Sequence, residues 1–423
     1  MRRAPLVPVA LVLMACLALG RPLLHRFDRG HWTHNCPEKT FITLRLTESP
    51  QPRAKSYRSS AQVTAINDRP SHGDITVYLR KDSIAGTLCY GDHLLLHGYP
   101  DTVKRSIYIT SDHYLITHRD STSFRAHLEK LRMRLLHRMQ NGPLEQRYAG
   151  VAEAMTLGWR GDLDENLQAT FRDSGLIHML CVSGLHVGLL AMLVGWLTLW
   201  AGRERRGRVI RGSLQLIAVW SFAVITGLAP STIRAALMFS LFIVSDILAR
   251  RTSKINLLAA AAIVMLVAKP SLLFDVGWQL SFAAVTGILM AKPVIRCFRC
   301  TLSQCAVVST AATLATLPIV VSTFHRIPIY FLIANIVIVP FATLLLFLSL
   351  GYLALPCAVF AWPLALLLKF TDTVTQWVSS LPHAVVEGVT LNTWQLILLI
   401  AAVLLLFAGA QLLRRCKNES LSQ

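Results

Sequence analysis

The chain has 423 residues, of which 53% are hydrophobic and only 15% charged. A soluble globular domain carries about a quarter charged residues, so the shortfall argues against an ordinary soluble protein and for a membrane. The 42 Lys and Arg against 23 Asp and Glu give a formal charge of +19, which suits nucleic acid, acidic lipid or positive-inside loops; where the charges fall decides between them.

The chain opens "MRRAPLVPVALVLMACLALG", two arginines before an apolar run. Residues 1–24 are expected to form an uncleaved transmembrane anchor with a cytoplasmic N-terminus; a cleaved signal peptide is the alternative. Residues 25–122 change character. Short alternating runs ("KTFITLRL", "AQVTAI", "DITVYLR", "HLLLHGY", "SIYIT") are bounded by Pro, Gly, Asn or Asp. Five strands at this spacing predict a small extracytoplasmic all-β domain of OB type. Within 123–175, "SFRAHLEKLRMRLLHRMQ" places Phe124, Leu128, Leu131, Leu135 and Met139 on one stripe and basic residues around it. That is the pattern of a helix lying on a bilayer surface, and a more polar helical stretch over about 144–174 follows it.

From residue 176 to 413 the sequence is mostly membrane. Apolar runs at 177–200, 212–229, 232–249, 255–269, 272–291, 303–322, 329–350, 352–369 and 393–413 are near the length that crosses about 30 Å of hydrocarbon. With the anchor they predict a polytopic α-helical membrane protein of about ten spans and a cytoplasmic tail at 414–423. Loop charge agrees. "AGRERRGRVIRG", "RRTSK", "KPVIRCFRC" and "RRCK" all fall on the cytoplasmic side of this alternation, and the opposite loops are poor in Lys and Arg. Much of the +19 is therefore loop orientation. Between His25 and Gln140 there remain 18 Lys and Arg against 11 Asp and Glu.

Some residues are out of place in such spans. Ser183, Gly184 and His186 sit in "HMLCVSGLHVGLL"; Arg234, Gln279, Ser281 and Asn335 begin three other spans. On the predicted topology all four spans run from outside to inside, so these side chains share one depth in the outer membrane. Polar residues near helix ends often snorkel to the interface or bond a neighbouring helix. Four spans repeating the pattern favour a shared polar path, and an intramembrane arginine is by default a functional residue. Gly188, Pro230, Pro318 and Pro340 interrupt the same region, as cavity-lining helices do.

Four stretches carry a resemblance: "FRDSGLIHMLCVSGLHVGLL", "TGLAPSTIRAALMFSLF", "KPSLLFDVGWQLSFAAVTGI" and "ATLATLPIVVSTFHRIPIYFLIANIVIVP". In this order they resemble the signature regions of the ComEC family of competence membrane proteins, strongly over roughly 140–345. The resemblance implies an inner-membrane channel for single-stranded DNA in natural transformation, with an extracytoplasmic DNA receptor and a cytosolic ATP-driven motor as partners. Carried onto this chain, the DNA path would be Ser183, Gly184, His186, Arg234, Gln279 and Asn335. Two departures stand out. Longer members bear a metallo-β-lactamase-like domain, and no His-x-His-x-Asp-His cluster occurs here; many members also open with more than one span. The expectation is a channel, not a nuclease, with no cofactor and no resident metal, in contact with single-stranded DNA and membrane lipid and able to form homo-oligomers. A secondary transporter for a small anionic solute and a membrane-anchored DNA-binding module are the competing readings.

The nine cysteines are scattered. Cys36 and Cys89 face an oxidising exterior and are a candidate disulfide. Cys297 and Cys300 form a Cys-x-x-Cys but lack the further ligands of a zinc site. Ser183 and His186 lack the turn and orienting acid of a hydrolase pair. Tyr57, Tyr78, Tyr90, Tyr99, Tyr108 and Tyr114 lie among Lys and Arg in the outer region, a composition compatible with a single-strand binder.

Overall fold

The computed structural model describes Met14, Trp32 and residues 40–52, 56–82, 84–101, 106–109, 114–119, 124–202, 204–249, 252–295, 298 and 300–420. It divides into two compact units. One comprises Leu19–Asn141 with Trp159–Asp162; the other takes in Gly142–Gly158 and Leu163–Gln423. Apart from Met14, the anchor predicted for residues 1–24 lies outside the described residues, as do Cys36 and Cys297.

The first unit is a β-sheet. Its strands are β1 (Thr40–Leu46), β2 (Gln51–Pro52), β3 (Ser56–Ile66), β4 (Arg69–Arg80), β5 (His93–Gly98), β6 (Pro100–Asp101), β7 (Ser106–Ile109) and β8 (Tyr114–His118). They pair in the order β6-β7-β4-β3-β1-β5-β8, with β2 on β3. Alternation sets the faces: in β1, Thr40, Ile42, Leu44 and Leu46 turn inward and their neighbours outward. Those aliphatics join Val77, Leu79, Leu94, Leu96, Ile107 and Trp32 in one core, each fully buried aliphatic side chain contributing about 1.5–3 kcal/mol. β3 and β4 are joined by Asn67-Asp68, both at positive φ, residues that accept the left-handed conformation a tight hairpin demands. The Asn67 amide also accepts from the Phe41 N–H and the Thr40 hydroxyl, both at 2.9 Å. β4 and β7 run parallel; the other pairings are antiparallel. All five predicted runs form strands. β3 and β4 extend further than their apolar runs, and β8 was not predicted, because it is short and exposes Leu115 outward, so it shows little alternation.

Tyr114 closes the core edge. Its hydroxyl donates to the Asp82 carboxylate at 2.9 Å, and burial with that acidic partner pushes the phenol pKa up. A raised folded-state value gives stability that is fully present below the ordinary phenol range and is lost as the pH climbs above it. Tyr114→Phe is expected to destabilise the sheet by about 1.5–3 kcal/mol at neutral pH. Denaturant unfolding followed by β-sheet circular dichroism checks this, and an unchanged midpoint would refute it. Helix α1 (Phe124–Gln140) belongs to the same unit and buries Leu136 and Met139.

The second unit is helical: α2 (Gln146–Thr156), α3 (Glu165–Asp173), α4 (Gly184–Leu197), α5 (Arg205–Ile225), α6 (Pro230–Ile247), α7 (Lys254–Ala268), α8 (Val276–Ile295), α9 (Thr301–Phe324), α10 (Phe331–Ala354), α11 (Ala358–Ser379) and α12 (Thr393–Ser420). Among the described residues, five helices are long and apolar enough to cross a membrane: α5, α6, α9, α10 and α11; α4, α7 and part of α12 are shorter apolar helices. Predicted boundaries moved where the backbone breaks. The run from 177 opens as a 3-10 turn (Ile177–Leu180), and the helix starts only at Gly184. The run from 272 begins inside a second 3-10 turn (Pro270–Phe274) before α8. Pro356 shifts the 352–369 span to α11.

α2 buries every residue from Ala149 to Thr156, so it is a packed helix of the helical unit, against α10 and α11. Arg147 at its start pairs with Asp372 of α11 at 2.9 Å, and Gln376 donates to the same carboxylate at 3.0 Å. Far along the chain, β9 (Arg326–Pro328) pairs antiparallel with β10 (Val385–Glu387), joining the α9–α10 and α11–α12 connections on one side of the bundle.

Candidate functional site

Every predicted path residue lies at the N-terminal end of a helix. Ser183 is the N-cap of α4 and Gly184 its first residue. Arg234 is the fifth residue of α6, Gln279 the fourth of α8 and Asn335 the fifth of α10. At 1.5 Å per residue each side chain stands within about 8 Å of its helix start. α6 packs on both α4 and α8, and α10 touches α4. Helix N-termini carry partial positive charge and unpaired N–H groups, an environment that favours anions.

α4 begins with a capping box in which His186 takes the place of the usual Glu. The Ser183 N–H donates to His186 Nδ1 at 3.1 Å, and Ser183 Oγ lies 3.0 Å from the same nitrogen. Because Nδ1 accepts, the neutral ring is assigned its proton on Nε2. His186 is buried. The pair therefore holds the start of α4 and presents an imidazole donor inside the bundle. Ser183→Ala is expected to lower the stability of the solubilised chain by about 1 kcal/mol, with Ser183→Thr close to the parent; a thermal-unfolding series measures it, and equal losses for both variants would contradict the cap. Gly188 lets α6 approach, whereas Gly184 meets it at ordinary contact distance. A Cβ at Gly184 would lie 3.8 Å from Ala235, and one at Gly188 would lie 2.6 Å from the Phe239 ring.

Arg234 is the centre of the second cluster. Its side chain is 7% exposed, and Nη1 lies 3.5 Å from Asp275 Oδ1, whose side chain is 47% exposed. Nη2 donates to Ser281 Oγ at 3.3 Å, and Ser281 in turn donates to the Gly277 carbonyl. A Cβ at Gly277 would sit 3.1 Å from Nη2, so glycine leaves room for the guanidinium. Asp275 also caps α8 by accepting from the Trp278 N–H at 2.6 Å.

The remaining two candidates sit apart from this ion pair. The Gln279 amide donates to the Leu273 carbonyl at 2.8 Å and ties the preceding 3-10 turn to α8. Asn335 is buried, and its Oδ1 has no hydrogen-bond partner among the described residues. Arg234 Nε, Thr232 Oγ1 and Trp278 Nε1 share that condition. These four atoms belong to the first five residues of α6, α8 and α10. Buried polar groups are normally paired, so each of these helix starts holds a polar group with capacity for water or a polar ligand.

The structure thus joins Ser183 to His186, brings Gly184 beside α6, joins Arg234 to Ser281, and leaves Gln279 and Asn335 outside these two bonded clusters. Sequence reasoning missed Asp275, Thr232 and Trp278. For Asp275 a signal was present: it is the only Asp or Glu between Asp246 and Asp372. Cys89, the described member of the candidate disulfide, is half-buried and directs its thiol to the Thr87 carbonyl at 3.7 Å. Burial and the neighbouring Asp92 push its pKa up.

Residues 155–415 match the model of a family described as competence protein. The chain is 26% identical over 284 residues to ComE operon protein 3 of Bacillus subtilis, covering 67% of this chain and 34% of that protein. It is 30% identical over 147 residues to competence protein ComA of Neisseria gonorrhoeae, covering 34% and 21%. Over 224 residues it is 24% identical to the uncharacterised protein YcaI of Escherichia coli, covering 50% and 30%. The chain therefore spans roughly a third or less of the length of these relatives. No solved structure matches it. With a family match over more than half its length, carried by the helices that bear the polar N-terminal ends, the chain belongs to the ComEC family of competence membrane proteins.

Proposed function

We propose that this chain is an inner-membrane channel component that takes up DNA, passing a single strand into the cytoplasm during transformation. The observation that carries the reading is the set of buried polar groups at the starts of α4, α6, α8 and α10. Alternate helices of a bundle run the same way, so these four ends share one side. A phosphate backbone entering there meets helix N-termini, the Arg234 guanidinium and the His186 donor, the groups an anionic polymer requires. Family membership supplies the class of cargo, DNA. The β9–β10 ladder supports the predicted topology, because the two loops it joins both fall on the outer side of the ten-span, multi-pass arrangement with cytoplasmic termini.

The β unit is read as the OB-like receiving domain. In its favour, β1, β3 and β4 form a meander, β5 adds to the free side of β1, and β7 runs parallel to β4, the connectivity of a five-stranded Greek-key barrel. On this reading the chain performs no bond chemistry. A cytosolic motor supplies the energy, and a separate extracytoplasmic receptor delivers the duplex.

Deletion of the chain, with DNA binding outside and strand arrival inside scored separately, tests the reading. The expected result is normal binding with no internal strand; normal arrival would sink it. A small-anion transporter also uses helix N-termini and a buried arginine. Anion uptake by the purified chain in liposomes, without DNA, would favour that alternative.

A further inference from the structure

The outward face of the β unit carries a row that the helical site does not involve. Register places Arg58 of β3 opposite Tyr78 of β4, and Tyr78 opposite Tyr108 of β7. All three occupy outward positions, since Ser59, Val77, Leu79, Ile107 and Ile109 on either side are buried. The two tyrosine rings stack in parallel, 4.5 Å between centroids and 9° between planes. The outer ring, Tyr108, is 72% exposed. β6 pairs with β7 at Ser106 and Ile107, and the end of β5 packs beside β7, with Gly98 close to Ile107 and Ile109.

We propose that Arg58, Tyr78 and Tyr108 form a base-stacking platform for single-stranded DNA. A cross-strand aromatic pair that serves only the sheet gains by burying both rings; here the second ring is held flat by the first and stays mostly exposed to solvent. A base has a face of the same kind, and stacking of this sort tolerates any sequence. Arg58 beside the inner ring and Arg80, also exposed on this end of the sheet, supply cations for the phosphates linking the stacked bases. The nearest outward acid along β4 is Asp74, two outward positions before Tyr78, and on β6 Asp101 pairs with Ser106 of β7. The inference rests on the proposed DNA-uptake function and adds to it the residues that hold the strand before translocation.

The test uses the full chain in lipid nanodiscs and a fluorescent oligothymidine of about 12 nucleotides, within the span of a single-strand-binding domain. Tyr108→Ile keeps strand propensity and removes the ring; Tyr108→Phe keeps the ring. Binding is expected to weaken roughly 5- to 100-fold in Tyr108→Ile, by less than about twofold in Tyr108→Phe, and with a shallower salt dependence in Arg58→Gln. Parent-like binding by Tyr108→Ile overturns the proposal, as does equal loss in both Tyr108 variants or equal loss for duplex and single strand. Photocrosslinking of the parent chain with an iodouridine oligonucleotide gives a readout independent of variant folding: adducts at Tyr78 or Tyr108 are expected, and adducts confined to other residues overturn the platform. Failure here with intact strand uptake by the parent chain removes the platform alone; failure of uptake removes the proposed function.

Discussion

Arg234→Leu is expected to abolish arrival of a strand in the cytoplasm while the chain still inserts in the membrane. The parent guanidinium serves Asp275 and Ser281 at once through separate nitrogens and keeps Nε for a further partner. Hydrogen bonds to charged groups are worth about 1.5–3 kcal/mol each. If two such bonds are made to passing phosphates, their loss corresponds to a fall of roughly two to four orders of magnitude, at about 1.4 kcal/mol per tenfold. Leucine occupies the site without a buried charge, so insertion is spared. Arg234→Lys is expected to fall between, because an ammonium cannot reproduce the planar fork. Transformation frequency, alongside membrane levels of the protein, reads both variants; a parent-like frequency in Arg234→Leu would rule out the guanidinium as part of the path.

Asp275→Asn carries the second large effect, and its direction is stability before function. Removing one partner of an ion pair while the other stays buried leaves an uncompensated charge, which costs about 3–5 kcal/mol. Asp275 is half-exposed, so water relieves part of that and the lower end applies. Asparagine still accepts from the Trp278 N–H, so the α8 cap survives. The double variant Arg234→Leu with Asp275→Asn is expected to regain thermal stability but not strand uptake. Additive losses in the double variant would show that the two residues act independently. Thermal unfolding in detergent measures the stability arm and transformation frequency the other.

Much of the architecture was legible because membrane and sheet impose simple patterns. Alternation in "FITLRL" announces β1, and the apolar lengths of α5, α6, α9, α10 and α11 announce helices that can cross a bilayer. Helix starts were less legible. Whether 177–183 continues a helix depends on Ser183 adopting an extended backbone and His186 closing the cap, and an apolar run does not display that. α2 reads as polar because Gln146, Arg147 and Glu153 dominate its composition, yet its small residues pack it inside the bundle. The candidate site was legible as unusual residue types near the starts of four predicted spans. Its bonding was not: Gln279 looks like a path residue but spends its amide on the Leu273 carbonyl, and Asp275 looks like a loop acid but faces Arg234. Hydropathy scores side chains singly, whereas these roles are set by which helix end faces which.

The central claim is that the N-terminal ends of α4, α6, α8 and α10 face the strand in transit. The most direct test places a photocrosslinking residue at Ser183 or Asn335, and at the exposed Trp362 of α11 as a control, in cells taking up DNA stalled by a bulky terminal block. Crosslinks to the strand at Ser183 and Asn335, and none at Trp362, are the predicted result. Strand crosslinks absent from both path positions, while DNA still reaches the cytoplasm, would contradict the account.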